Sequence, residues 1–129
     1  MKELLTYGAM TAAFLAIDSI WLGVVAKNFY HNNIGHLMAK KPNFIAAGVF
    51  YALYLTGLLV LVVLRADSYL ELLWGAALFG LVGYGTYDLT SQAVIKDWPA
   101  KVTIADLFWG VFLTTSVGLV GYFVLQLVS

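Results

Sequence analysis

Four apolar blocks, at about residues 4–26, 43–64, 70–95 and 102–127, occupy most of the chain, and nearly all of its charge falls in the gaps between them. An α-helix rises about 1.5 Å per residue, so about 20 apolar residues cross a hydrocarbon core about 30 Å thick. Each block meets that length. With 62% hydrophobic and 11% charged residues, the 129-residue chain carries too little charge to cover a water-soluble domain. The expected fold is all-α: an integral membrane four-helix bundle, a single transmembrane domain over 1–129 with short loops. The first block follows Lys2 as the apolar core of a signal peptide would, but it is too long for one and carries Asp18. It is expected to span.

Basic residues near helix ends set orientation. The first and third gaps hold Lys27, Lys40, Lys41, Lys96 and Lys101, whereas the N-terminus and second gap hold only Lys2 and Arg65. The lysine-rich end should therefore stay cytoplasmic, with both termini outside. The absence of cysteine excludes disulfides and thiolate chemistry. Seven basic residues balance seven acidic ones, which offers no basic surface for nucleic acid.

Punctuation between the blocks is consistent with helix ends. Pro42 precedes the second block, and Asp97-Trp98-Pro99 breaks the chain before the fourth. Thr103 and Asp106 have the spacing of a capping box. Tyr69, Trp74 and Tyr122 at one end, and Phe29, Tyr30 and Trp98 at the other, are read as interfacial rings. Gly75, Ala76, Gly80, Gly83 and Gly85 suit close helix packing, within the bundle or in a homo-oligomer. Val24–Phe29 echoes Ala93–Trp98, each preceded by an aspartate, nine residues before Lys27 and eight before Lys96. That echo raises a weak two-plus-two internal repeat.

Three acids lie inside the blocks, Asp18, Asp88 and Asp106, and no Lys or Arg lies there to neutralise them. An aspartate at the centre of a spanning helix costs roughly 2.5–3.5 kcal/mol, so it needs a partner, a proton or a function. Counting from the lysine-rich gaps, Asp18 lies about 13 Å deep, Asp88 about 12 Å, Asp106 about 7.5 Å and Tyr51 about 13 Å. Each helix thus offers a polar group at similar height, and the opposite half offers nothing comparable. Helical spacing adds Tyr84 and Ser91 to the face of Asp88, Trp21 to that of Asp18, Trp109 to that of Asp106, and Tyr54 to that of Tyr51. Carboxylates brought close in low dielectric cannot both ionise readily, which is a setting for acid/base chemistry. The expected catalytic residues are Asp18, Asp88 and Asp106. The expected substrate contacts are Trp21, Tyr51, Tyr54, Tyr84, Tyr87, Ser91 and Trp109. The structural alternatives are a packing hydrogen bond from each acid to a Tyr, Trp or Ser, and a capping role for Asp106. His31 and His36 could complete a His/Asp metal set, but no tight ligand spacing supports one, so no metal or other cofactor is expected.

Asp18-x-x-Trp21-Leu22-Gly23, Phe50-Tyr51-x-x-Tyr54, Tyr87-Asp88-Leu89-Thr90, Trp98-Pro99 and Asp106-x-x-Trp109-Gly110 together resemble the bacterial membrane family known as domain of unknown function 2177. The likeness spans nearly the whole chain, with Ser91 where that family usually has Asn. It implies a small four-helix protein of a bacterial cytoplasmic membrane. Three roles fit the residues: an acid/base enzyme acting on a membrane lipid or other apolar substrate, a proton- or cation-coupled carrier, and a non-catalytic accessory or assembly subunit.

Overall fold

The computed structural model describes residues 1–129, and the chain is entirely helical apart from its turns. Helix α1 covers Lys2–Ile20 and continues through a wider π turn, Trp21–Val25; α2 covers Lys27–Ile34 and ends in a short 3-10 turn; α3 covers Phe44–Leu58 and continues through a second π turn, Leu59–Val63; α4 covers Tyr69–Val94; α5 covers Ala100–Val128. The long helices fall within a few residues of the four apolar blocks. The short α2 lies in the first gap, where a loop is expected.

Three segments are long and apolar enough to cross a membrane: Lys2–Val25, Phe44–Val63 and Ala100–Val128. Helix α4 is long enough as well, at 26 residues, but its second half carries Tyr84, Thr86, Asp88, Thr90, Ser91 and Gln92. Only 28 of 129 residues are buried, and the outer surface is covered with side chains such as Leu4, Ile45, Leu53, Trp74, Phe108 and Leu127. A surface that apolar is suited to lipid rather than water.

Helix starts are capped locally. Asn43 accepts from the Ala46 amide at 3.0 Å to open α3, and Ser68 accepts from the Glu71 amide at 3.1 Å to open α4. Glu71 reaches back to the Asp67 amide at 2.8 Å, one residue before the N-cap, so side chain and backbone bond in both directions across this helix start. The expected box at Thr103 and Asp106 does not form: α5 already begins at Ala100 behind Pro99, which puts both residues inside the helix.

Helix α5 is the centre of the fold, packed most extensively on α4 and then on α1. The α4–α5 contact is close because both helices offer glycine. A Cβ on Gly80 would come within 2.7 Å of the Gly110 carbonyl oxygen and of the Thr114 hydroxyl, and one on Gly110 would strike the Tyr84 ring. Gly118 and Gly121 extend the seam against Ala76 and Met10. The small-residue expectation thus holds for Ala76 and Gly80, while Gly83 meets nothing within 4 Å. Met10, Phe14, Leu58, Val63, Leu72, Leu113 and Val117 fill one half of the interior. Helix α3 leans away in its first half, where Phe44, Ile45, Val49, Phe50 and Leu53 are exposed. The α1–α3 contact is sparse beside that of α4–α5, so a two-plus-two repeat is not expressed as symmetric packing.

At the lysine-rich end, α2 folds back beneath the long helices. Ile34 packs with Trp98 and Val102, and Phe29, Tyr30 and Ile95 surround them, forming a second, smaller core. Trp98 is therefore a core residue here, and Tyr122 at the other end is buried against Tyr69, with ring centroids 4.8 Å apart. Neither is the interfacial ring the sequence suggested. Trp74 is exposed on α4.

Candidate functional site

Between the filled core and the α2 floor lies a cavity of about 340 Å³. Asp18, Asp88 and Asp106 all line it, together with Trp21, Tyr51, Tyr84, Tyr87 and Trp109. Eight of the ten expected site residues are thus brought together. The depth count placed them at one level, and α5 lies between α1 and α4, so the three acids converge. Tyr54 and Ser91 are not on the wall. Tyr54 sits one turn deeper than Tyr51, packs on Phe14 and Phe79, and bonds the Thr114 hydroxyl at 2.5 Å. Ser91 is buried beside the α4 terminus, where its carbonyl accepts from the Ile95 amide.

The acids differ in their partners. Asp18 accepts from the Trp109 indole at 3.2 Å. Asp106 accepts from the Tyr30 hydroxyl at 2.5 Å, and Tyr30 in turn accepts from the Trp21 indole at 3.1 Å. The Trp21 and Trp109 rings stack, centroids 4.4 Å apart and 7° from parallel. A chain of contacts therefore runs from Asp18 through both indoles and Tyr30 to Asp106. Asp88 is bonded into no such chain, and the group beside its carboxyl is the carboxyl of Asp106. Asp88 is 0% exposed, and neither carboxyl oxygen meets a donor. Buried polar groups are ordinarily paired, so an orphan pair of oxygens at a cavity wall calls for an explanation.

Helix α4 brings Asp88 to the wall through its contact with α5: the Thr103 hydroxyl bonds the Asp88 carbonyl at 3.4 Å and accepts from the Trp98 indole at 3.1 Å. Thr103 thus fastens the α4 terminus to the start of α5. Helix α1 presents Asp18 just before its π turn, and such wide turns often mark functional segments.

Tyr30, Leu22, Ile34, Met38, Trp98 and Val102 complete the lining and had not been assigned to a site. Four of these are apolar and could not be told from packing residues. By position near a helix end, Tyr30 and Trp98 read as interfacial rings. The usable signal was the apolar Ile34-x-x-Leu37-Met38 stretch among polar loop residues, which needs a surface to cover. Burial, and next the hydrogen bond to the Asp106 carboxylate, push the Tyr30 phenol up from its ordinary value, so it remains a proton-bearing donor.

No cation reaches this wall. The ion pairs of the chain are Met1 with Glu3 and His36 with Asp97, the latter at 3.6 Å and largely exposed. His36 is thus turned to the α4–α5 connection, and no three His, Asp or Glu side chains stand close enough to share a metal ion. Instead, Tyr51, Tyr84, Tyr87 and Asp106 also line a second, larger space of about 530 Å³, walled by Ala46, Ala47, Phe50 and Gly83. That groove lies between α3 and α4, where α3 leans outward.

No curated protein and no solved structure matches this chain. Residues 3–123 match the model of one family, described as predicted membrane protein, and with that coverage the chain belongs to this uncharacterised family, DUF2177.

Proposed function

We propose that the protein is a membrane-embedded acid/base enzyme acting on a lipid or other apolar substrate, with Asp88 as acid, Asp18 as base and Asp106 in support. In this reading α4 crosses the membrane beside the three more apolar helices, and the lysine-rich end faces the cytoplasm of a bacterium. The observation that carries it is the orphaned Asp88 carboxyl, buried on the wall of a cavity it shares with Asp18 and Asp106. A carboxyl group that no donor reaches is suited to hold a proton and release it to a substrate atom. Asp18, whose charge the Trp109 indole supports, takes a proton from another atom, so the site's total is unchanged and the substrate's protons are redistributed. Tyr51, Tyr84 and Tyr87 flank the route in from the groove between α3 and α4. A through path for a carrier finds less support, because Phe14, Leu58, Leu113 and Tyr54 fill the interior beyond the cavity. The test is lipid analysis of the native host lacking the gene, complemented with wild type or Asp88→Asn at equal membrane levels. A lipid species restored by wild type alone is the expected result. Equal restoration by both removes the acid/base role.

A further inference from the structure

We infer that the cavity and its groove receive a single-chain amphiphile with a cationic, amine-type head, entering sideways from the bilayer between α3 and α4. This names the substrate class for the reading above and rests on it. Of the fourteen side chains around the cavity, seven are aromatic and three are carboxylates, with no Lys, Arg or His among them. Such a wall is poorly suited to a phosphate or a carboxylate, which would meet three acids in low dielectric. An ammonium group is suited to it on two counts. Carboxylates offset the cost of taking the charge out of water, and aromatic faces attract a desolvated cation through their quadrupoles. Asp88, one of the lining residues, supplies the independent sign of a missing partner, since its buried oxygens have no donor and the group beside them is another carboxyl, that of Asp106. An amine has N–H donors to give them.

The rest of the ligand follows from where the cavity opens. Tyr51, Tyr84, Tyr87 and Asp106 belong to both spaces, so the head site and the apolar groove are continuous. Phe50, half of it exposed, and Gly83 line the outer part, where the splayed first half of α3 leaves room for an alkyl chain. An inorganic cation would need no such groove, and it would find no cluster of three acid or imidazole groups close enough to ligate it.

The experiment is a fluorescence titration of the full-length protein in a neutral sugar detergent, with the stacked Trp21–Trp109 pair as reporter. Dodecylammonium should bind saturably, roughly tenfold or more tighter than dodecanol, dodecanoate or propylammonium, a difference of about 1.4 kcal/mol or more. Sodium chloride at matched ionic strength should not displace it. Asp18→Asn with Asp106→Asn should weaken dodecylammonium by a similar factor. Should that variant fail to fold, Gly83→Leu serves instead: an added Cβ there meets nothing, so the fold is kept while the longer side chain fills the groove. That variant should lose dodecylammonium and leave the weak propylammonium signal unchanged. Equal binding of amine and alcohol overturns the cationic head, and equal binding of long and short amines overturns the groove. Displacement by sodium assigns the site to an inorganic cation and overturns the inference outright. Binding is read without turnover, so selective amine binding beside an Asp88-independent lipid profile sinks only the acid/base reading. The opposite pair of results sinks only this inference.

Discussion

The two halves of the molecule are built on opposite principles. In the half that holds Met10, Leu72, Val117 and Tyr122, side chains interlock around glycines and every large residue named is buried. In the lysine-rich half the same helices diverge around three carboxyl groups and a ring of aromatics, closed from below by α2. One half supplies packing and the other holds a destabilising constellation in place. The difference teaches that the site depends on a seam one or two turns away: the α4–α5 contact sets the positions of Asp88 and Asp106, and Asp88 enters it through its backbone carbonyl, which the Thr103 hydroxyl holds.

The seam offers the largest test of that contrast. Gly80→Val places a branched side chain against the Gly110 backbone, which cannot yield, so a loss of about 3 kcal/mol is expected in thermal or denaturant unfolding in detergent. A near-neutral result would show that the two helices are not held at this distance. In the hollow half, Tyr30→Phe removes a bond to a carboxylate and leaves the Trp21 indole without its acceptor, for about 1.5–3 kcal/mol. Its pH signature sharpens the comparison. The phenol is raised on folding above its ordinary value of 10.0, so its contribution is complete below that pH and is lost as pH rises toward the folded value. Unfolding measured from pH 8 to 11 should show an alkaline decline that is smaller in Tyr30→Phe.

Asp88→Asn is expected to move stability in the other direction. Replacing a buried acid without donors by a neutral amide should leave the fold unchanged or stabilise it by about 1 kcal/mol, as is common where activity requires a strained site. Marked destabilisation in the same unfolding assay would instead make Asp88 a packing residue. Smallest of all, His36→Gln should change stability by less than about 0.5 kcal/mol, since its contact with Asp97 is exposed.

Much of this architecture could be read from the residues because a bilayer leaves a chain few choices. The hydrocarbon thickness sets the length of a span, and the rise of a helix converts residue counts into depth, so the level shared by Asp18, Asp88 and Asp106 followed from arithmetic. What could not be read depends on tertiary contact. Tyr51 and Tyr54 lie on the same stripe of α3, and only the approach of Thr114 decides that one faces the cavity and the other the core. Ser91 shares a stripe with Asp88 on α4, yet it is buried one turn further on, where the helix ends, and does not line the cavity. Tyr30 and Trp98 were indistinguishable from interfacial rings until α2 folded back, since depth preference is generic and a return turn leaves little local signal. Thr103 and Asp106 matched a capping pattern in a helix that had already started.

The wide turn at Trp21–Val25 lies directly between Asp18 and α2 and loosens the helix there. An extra residue in a regular helix would swing everything beyond it by about 100°. Absorbed in one loosened coil, such a residue leaves Asp18 at the cavity and lets the following segment take a new heading, as α2 does where it passes beneath the long helices. The loosened coil thereby lets a plain crossing end in a floor, and a one-residue deletion at Leu22 should take that floor away while leaving the span intact.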